Sequence, residues 1–174
     1  MRTRFCSVLL LAAFLFFLPA ASVEQLSPFV IDQLVGKQAP DFTLTDQNGK
    51  SVTLSTFHGK PLLLNFWGPW APNSLDEVRT LVRLRERADM KELVVIGITA
   101  DKKTDAAQAF LRRKPVNYPI LTDPDLSVTT HRYAAFMIPL SLLIDRHGIV
   151  TKIYFGQQEW LRPKMLQAIV EHVK

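Results

Sequence analysis

Hydrophobic and polar positions divide the chain into a series of predicted strands and helices. Residues 39–44 and 51–54 alternate apolar and polar side chains on either side of an Asp-Gln-Asn-Gly turn, which predicts a β-hairpin. Residues 62–67 form an apolar run broken only by Asn65, which is typical of a strand buried on both faces. Residues 93–99 form a second such run, so we expect both in the interior of one sheet.

Helical spacing appears between and after these strands. Apolar residues recur at intervals of three and four between residues 74 and 88, which predicts an amphipathic helix. The remaining predicted elements are helices at 104–114, 126–133 and 160–173, an edge strand at 118–123, and a second hairpin joining 139–145 to 149–155. This order of elements predicts an α/β fold with a mixed central sheet flanked by helices on both faces.

The first residues have the pattern of a targeting segment. Arg2 and Arg4 precede an apolar run at residues 5–21, and small residues lead up to Ser22. This pattern predicts a signal peptide at residues 1–22 that is cleaved after Ser22. The alternative is an uncleaved anchor, because the run approaches the roughly 20 residues that span a bilayer. Either reading predicts export to the periplasm or another extracytoplasmic space, since basic residues favour the cytoplasmic side.

The rest of the chain is expected to form one domain. Residues 23–38 are interpreted as a lead-in arm and residues 39–174 as the folded domain. Arg2 and Arg4 are the only charged residues of the leader, so the net charge of +5 for the whole chain falls to +3 without it. Such a mild positive charge, on an exported domain, argues against a nucleic-acid partner.

Cysteine and histidine usage limits the chemistry that the domain can perform. The single cysteine, Cys6, lies in the leader, so the domain has no disulfide, thiolate metal site or thiol nucleophile. No pair of histidines has ligand spacing on one predicted element. The four histidines are His58, His131, His147 and His172. We therefore expect no metal and no other cofactor.

Several motifs occur in register from about Gly36 onward. Ala-Pro-Asp-Phe-Thr-Leu stands at residues 39–44, and Gly-Lys-Pro-Leu-Leu-Leu-Asn-Phe-Trp at 59–67. A third motif runs from Tyr133 to Gly148 and contains Pro-Leu-Ser-Leu-Leu-Ile-Asp. Together they resemble the TlpA/ResA group of thioredoxin-like proteins, which is related to the redoxin and AhpC/TSA families. The resemblance implies a thioredoxin-like fold with an N-terminal β-hairpin extension and a central αβ insertion. It also implies disulfide reduction outside the cytoplasm, often in cytochrome c maturation.

The active-site turn departs from the family pattern. Relatives carry Trp-Cys-x-x-Cys, whereas the two sulfur positions here are Ala71 and Ser74. Neither a methyl group nor a neutral hydroxyl can replace a thiolate in disulfide exchange, so no catalytic residue is expected. Ser74 is interpreted as a helix cap, with Asn73 as the alternative cap, rather than as a nucleophile, because no histidine base is evident nearby. Glu77 matches a glutamate that relatives are thought to use in proton transfer; here a capping box with Ser74 is favoured over a residual binding role.

The resemblance also implies a peptide-binding groove beside this turn. Pro139 is expected to be a cis proline, and the backbone of Ile138 corresponds to the segment that pairs with extended substrate in relatives. The predicted groove residues are Trp70, Pro72, Asn73, Ile138 and Pro139. Trp67, Phe136 and Met137 would surround the groove, although burial in the core is the favoured alternative for Trp67 and Phe136.

Arginines also recur on one side of the helix that follows the turn. Arg79, Arg83 and Arg87 are spaced four residues apart. A solvated face is the favoured interpretation, and an acidic partner or anionic headgroups the alternative.

Three functions stay open on this reading. The first is non-redox binding of an exported protein or peptide, such as a periplasmic assembly factor or a membrane-bound redox or cytochrome-maturation component. The second is thiol-disulfide oxidoreduction in periplasmic redox homeostasis or cytochrome c maturation. The third is a structural role in a membrane-bound complex, favoured if residues 5–21 remain as a tether.

Overall fold

A computed structural model describes residues 30–101 and 105–173. The predicted leader, residues 23–29 of the lead-in arm and the first residue of the predicted 104–114 helix lie outside the described residues. A seven-stranded mixed sheet has the order β2-β1-β5-β4-β3-β6-β7. Its strands are β1 (Thr43–Asp46), β2 (Ser51–Thr53), β3 (Leu62–Trp67), β4 (Val94–Thr99), β5 (Ile120–Thr122), β6 (Leu140–Ile144) and β7 (Val150–Phe155). The α-helices are α1 (Ser74–Arg85), α2 (Asp105–Arg113) and α3 (Pro163–Val173).

The centre of the sheet follows from its apolar strands. All six residues of β3 are buried, and β3 pairs in parallel with β4 and antiparallel with β6. Alternate residues of β3 point to opposite faces: Leu62, Leu64 and Phe66 join one core, and Leu63 and Trp67 join the other. The prediction of a strand buried on both faces is confirmed.

The two faces of the sheet are covered differently. All three α-helices contribute to the core that contains Trp67. The opposite face is covered by short helical segments at Val30–Leu34 and Leu54–Phe57 and by a π-helix at Ser127–Arg132. Among the described residues, we find no helix with the length and apolar character needed to cross a bilayer.

Both predicted hairpins form, but two other predictions need correction. β1 pairs with β2 and β6 with β7, both antiparallel. The strand predicted at the sheet edge is wrong in its position, because β5 lies between β4 and β1 and hydrogen-bonds to both. The hairpin extension covers that edge. The closing helix begins at Pro163 rather than residue 160, where Trp160 is instead buried in the core beneath it.

Candidate functional site

The loop between β3 and α1 is held by its own backbone. The N–H of Ala71 donates to the carbonyl of Gly68 at 3.0 Å, and that of Ser74 donates to the carbonyl of Ala71 at 3.3 Å. Asn73 has φ of 63°, a left-handed conformation that asparagine tolerates better than most residues. The loop is therefore a tight turn that carries the chain from the end of the strand into the helix.

The two loop positions at which the resemblance implies cysteines in relatives are buried. Ala71 is 5% exposed and Ser74 is fully buried. The Ser74 hydroxyl accepts a hydrogen bond from the N–H of Gly68 at 3.4 Å, and no imidazole of the described residues hydrogen-bonds to it. The predicted capping box is wrong, because Asn73 precedes the helix, makes no side-chain cap bond, and Ser74 is already the first helical residue.

Glu77 hydrogen-bonds to residues that are distant in the sequence. Its carboxylate accepts a hydrogen bond from the backbone N–H of Gln158 at 2.9 Å and another from the indole Nε1 of Trp160 at 2.7 Å. Burial raises the pKa of Glu77 to about 7, although both hydrogen bonds act to lower it. The carboxyl group thus joins α1 to the segment that leads into α3, and this is why it is unavailable for a capping box.

Trp70 is exposed but fixed in place. Its side chain is 63% exposed, and its Nε1 donates a hydrogen bond to the carbonyl of Ala100 at 2.9 Å. A Cβ atom at Gly68 would lie only 2.7 Å from Trp70 Nε1, so the glycine allows the ring to lie against the backbone. The loop therefore presents a rigid aromatic surface to solvent. Pro72 and Asn73 beside it are also exposed.

The segment before β6 meets this loop at one end of the sheet. Phe66 pairs with Leu140, so the residues after β3 and those before β6 leave the sheet at the same end. The Ile138-Pro139 peptide bond is cis. The backbone N–H and C=O of Ile138 have no hydrogen-bond partner among the described residues. Five predicted groove residues thus come from two loops at this end.

The aromatic residues around this end fall into two groups. Trp67 is fully buried, as its core alternative predicted. Phe136 is 71% exposed and Met137 is 46% exposed, so Phe136 does not take the core position favoured for it. The reason is local: Phe136 and Met137 lie in the irregular segment between the π-helix and β6, where no regular element covers them.

The arginines and histidines form no common site in the described part of the chain. Arg79 pairs with Asp76 at 2.5 Å and lies over the ring of Phe110, while Arg87 pairs with Asp89 at 2.8 Å. These exposed pairs agree with a solvated helix face. No group of histidine, cysteine, aspartate and glutamate within residues 30–101 and 105–173 is arranged to hold a metal ion.

The sheet order and the cis proline opposite the helix-initiating loop define a thioredoxin-like protein. The AhpC/TSA family model matches residues 35–153, and the chain belongs to this family. It is 32% identical over 124 residues to thiol-disulfide oxidoreductase ResA of Bacillus thuringiensis subsp. konkukian. The aligned region covers 71% of this chain and 71% of the relative. It is 31% identical over 123 residues to thioredoxin-like protein YneN of Bacillus subtilis. That aligned region covers 70% of this chain and 71% of the relative.

Solved structures agree with this assignment. A crystal structure from Chlorobium tepidum, described provisionally as thiol:disulfide interchange protein DsbE, has a TM-score of 0.72 and 28% identity. That comparison covers 80% of this chain and 98% of the other. StoA from Bacillus subtilis, with a TM-score of 0.63, 16% identity and coverage of 78% and 98%, shows the same fold.

Sequence reasoning missed the partners that support the site. Gln158 and Trp160 lie 81 and 83 residues from Glu77, and nothing in local spacing indicates their contact. Gly68 was also missed, although a glycine two residues before an exposed tryptophan is the available signal for a close approach of ring and backbone.

Proposed function

We propose that this chain is an exported thioredoxin-fold protein that binds a protein or peptide partner without covalent disulfide exchange. The binding site is the sheet end formed by the loop at residues 70–74 and the segment at residues 136–139. The observation that carries the proposal is the distribution of exposed apolar groups. Among the described residues, four large hydrophobic side chains are exposed, and Trp70, Phe136 and Met137 all belong to this end. Aromatic and methionine side chains are enriched where proteins bind other proteins.

The backbone at this end supports an extended ligand. Ile138 has an N–H and a C=O free of partners among the described residues, and a peptide strand could hydrogen-bond to both. Such pairing needs main-chain groups only and is independent of sulfur. The exposed side chains of Trp70 and Phe136 would then supply apolar contacts to alternate residues of the bound strand.

The chemistry of the loop supports binding rather than exchange. Ala71 and Ser74 provide no thiolate, and the only cysteine, Cys6, stands in the predicted leader. We further propose that residues 1–22 direct export and that residues 39–174 form the binding domain after the arm at 23–38. By analogy with the relatives, the partner would be a periplasmic assembly factor or a membrane-bound redox or cytochrome-maturation component.

Affinity capture from a periplasmic extract tests this proposal. Residues 23–174 serve as bait, and Trp70→Ala is compared with Val35→Ala, which truncates the fourth exposed apolar residue, outside the two loops. We expect Trp70→Ala to deplete specific partners and Val35→Ala to leave them unchanged. Equal capture by both variants would remove the loop from the binding site.

An insulin-reduction assay on the same cysteine-free domain tests the alternative function, thiol-disulfide oxidoreduction. We expect no turnover above the rate without protein, because no thiolate is present to attack a disulfide. Turnover by this domain would reject the non-redox proposal in favour of thiol-disulfide oxidoreduction.

A further inference from the structure

The three methionines of the domain at residues 23–174 differ in their exposure. Met137 is 46% exposed, Met165 is partly buried against the core that contains Trp67, and Met90 is fully buried. The only cysteine, Cys6, stands in the predicted leader. The thioethers are therefore the only sulfur groups of this domain, and Met137 is the one most open to a dissolved oxidant.

The backbone on both sides of Met137 is fixed. Ala135 is buried, and its N–H donates a hydrogen bond to the carbonyl of Thr129 at 2.8 Å. On the other side, the carbonyl of Pro139 accepts a hydrogen bond from the N–H of Gly156 at 2.8 Å. Met137 lies in a short exposed stretch between these two fixed points, so it is held at the surface.

The surface around Met137 is apolar and uncharged. Residues 70–74 and 136–139 contain no acidic, basic or histidine side chain. Phe136 next to Met137 is exposed, and so is Trp70 at the same end of the sheet. The indole N–H of Trp70 is already bonded to the carbonyl of Ala100, so this ring offers no free donor to a new polar group.

We propose that Met137 is a reversible oxidation site that controls binding at this end of the sheet. The oxidant is a hydroperoxide such as hydrogen peroxide. The thioether sulfur attacks one peroxide oxygen, the O–O bond breaks as the S–O bond forms, and the other oxygen leaves as water. The sulfur gives up two electrons, which reduce the peroxide. Methionine sulfoxide reductases reverse this change.

The product differs from the thioether in the property that the surface depends on. A sulfoxide is polar, whereas methionine contributes a flexible apolar contact. Covering the sulfoxide oxygen with a bound partner costs free energy unless a donor reaches it, so we expect oxidation to weaken binding about tenfold. This effect on binding rests on the proposed function, whereas the oxidation of Met137 does not.

Peptide mapping by mass spectrometry tests the oxidation. The domain at residues 23–174 is treated with hydrogen peroxide, stopped with catalase at intervals and digested. We expect Met137 to gain one oxygen first, Met165 more slowly and Met90 last. The same treatment in urea is the control, because in the unfolded chain the three rates should become similar. Oxidation of Met137 no faster than that of Met165 in the folded domain would overturn the inference.

Two leucine variants test the effect on binding. Met137→Leu and its matched control Met165→Leu keep the volume of the side chain and cannot form a sulfoxide. Each domain is oxidised, freed of peroxide and used to capture the periplasmic proteins whose capture depends on Trp70. We expect oxidation to lower capture about tenfold for the unaltered domain and Met165→Leu, and to leave Met137→Leu unchanged. Treatment with methionine sulfoxide reductases should restore capture.

The outcomes separate this inference from the proposed function. Capture that does not depend on Trp70 rejects the proposed function, and control of binding by Met137 falls with it. Capture that depends on Trp70 but survives complete oxidation of Met137 retains the proposed function and rejects the control. An equal loss in Met137→Leu would assign the effect to another oxidised group and also overturn the inference.

Discussion

The loop at residues 70–74 and the buried carboxyl group of Glu77 are neighbours in the chain but differ in chemistry. The loop holds the methyl group of Ala71 and the neutral hydroxyl of Ser74. Glu77 holds an ionisable group with a raised pKa and two hydrogen bonds to distant backbone and side-chain donors. One region lacks a redox group, whereas the other contains an acid of the kind that assists proton transfer.

The raised pKa of Glu77 accompanies a structural contact between α1 and the segment that leads into α3. Perturbed pKa values occur at structural contacts as well as at catalytic ones. The Glu77 carboxylate accepts hydrogen bonds from the part-buried N–H of Gln158 and the buried indole N–H of Trp160, which otherwise would lack acceptors. Its contacts therefore explain its presence without any thiol.

Restoring both cysteines should produce the largest change. Ala71→Cys with Ser74→Cys places one thiol in the turn and one at the start of α1, where a thiolate is stabilised. We expect the double variant to form an intramolecular disulfide and to reduce insulin by orders of magnitude faster than the unaltered domain, which has no thiol.

Ser74→Cys alone is the control, because a single thiol cannot close the intramolecular disulfide. A double variant that stays inert toward a small disulfide would show that the loop differs from an active one in more than its sulfur atoms. Burial of the Ala71 position is the feature of this structure that would explain such a result.

Removing the Glu77 carboxyl should have the next largest effect. Glu77→Ala leaves the Trp160 indole N–H and the Gln158 N–H without their acceptor and opens a cavity, so we expect a loss of about 3 kcal/mol in the free energy of unfolding. Glu77→Gln keeps one acceptor oxygen and should lose about 1–2 kcal/mol. Urea denaturation measures both. Equal, small losses would mean that the contact adds little to stability.

The pH dependence of stability should reveal the same group. The folded-state pKa of Glu77 is raised to about 7 by burial, so the folded protein binds this proton more tightly than the unfolded chain does. The bound proton therefore adds to the free energy of unfolding. This contribution is fully present below the ordinary pKa of a glutamate and is lost as the pH rises through the folded-state pKa of about 7. We expect a decrease on the order of 2–3 kcal/mol across that range.

Glu77→Gln provides the comparison, because its amide does not titrate. The difference in the free energy of unfolding between the two proteins should follow the predicted curve, while other groups affect both proteins alike. A difference that stays constant with pH would contradict the raised pKa.

The sequence predicts the elements whose signals are local. The bounds of β3 agree with the prediction because its run, apolar except for Asn65, ends at a Gly-Pro turn. Both hairpins carry a glycine in their turns. The position of β5 could not be predicted in this way, since a short strand does not reveal its neighbours. The capping box failed for a related reason: the spacing of Ser74 and Glu77 is local, but the buried donors that bind Glu77 are distant.

The candidate site was predictable in its parts rather than in its arrangement. Trp70 and Ile138-Pro139 could be named from the motifs. The exposure of Phe136 could not, because it lies in the irregular segment before β6, where no regular spacing of apolar residues indicates which side chains are buried.

The smallest expected effect tests whether the orientation of Trp70, and not only its presence, matters to the exposed loop. Gly68→Ala places a Cβ atom against Trp70 Nε1, so the exposed ring should swing away and lose its hydrogen bond to the Ala100 carbonyl. We expect a loss of about 1 kcal/mol in stability. Partner capture should weaken as well.

Trp67 and Trp160 are fully buried, so fluorescence quenching by added iodide would report mainly on Trp70 and should increase. In a Trp70→Ala background the same glycine substitution has no ring to displace, and its effect on stability should disappear. An effect that persists there would assign the role of Gly68 to the backbone of the turn instead.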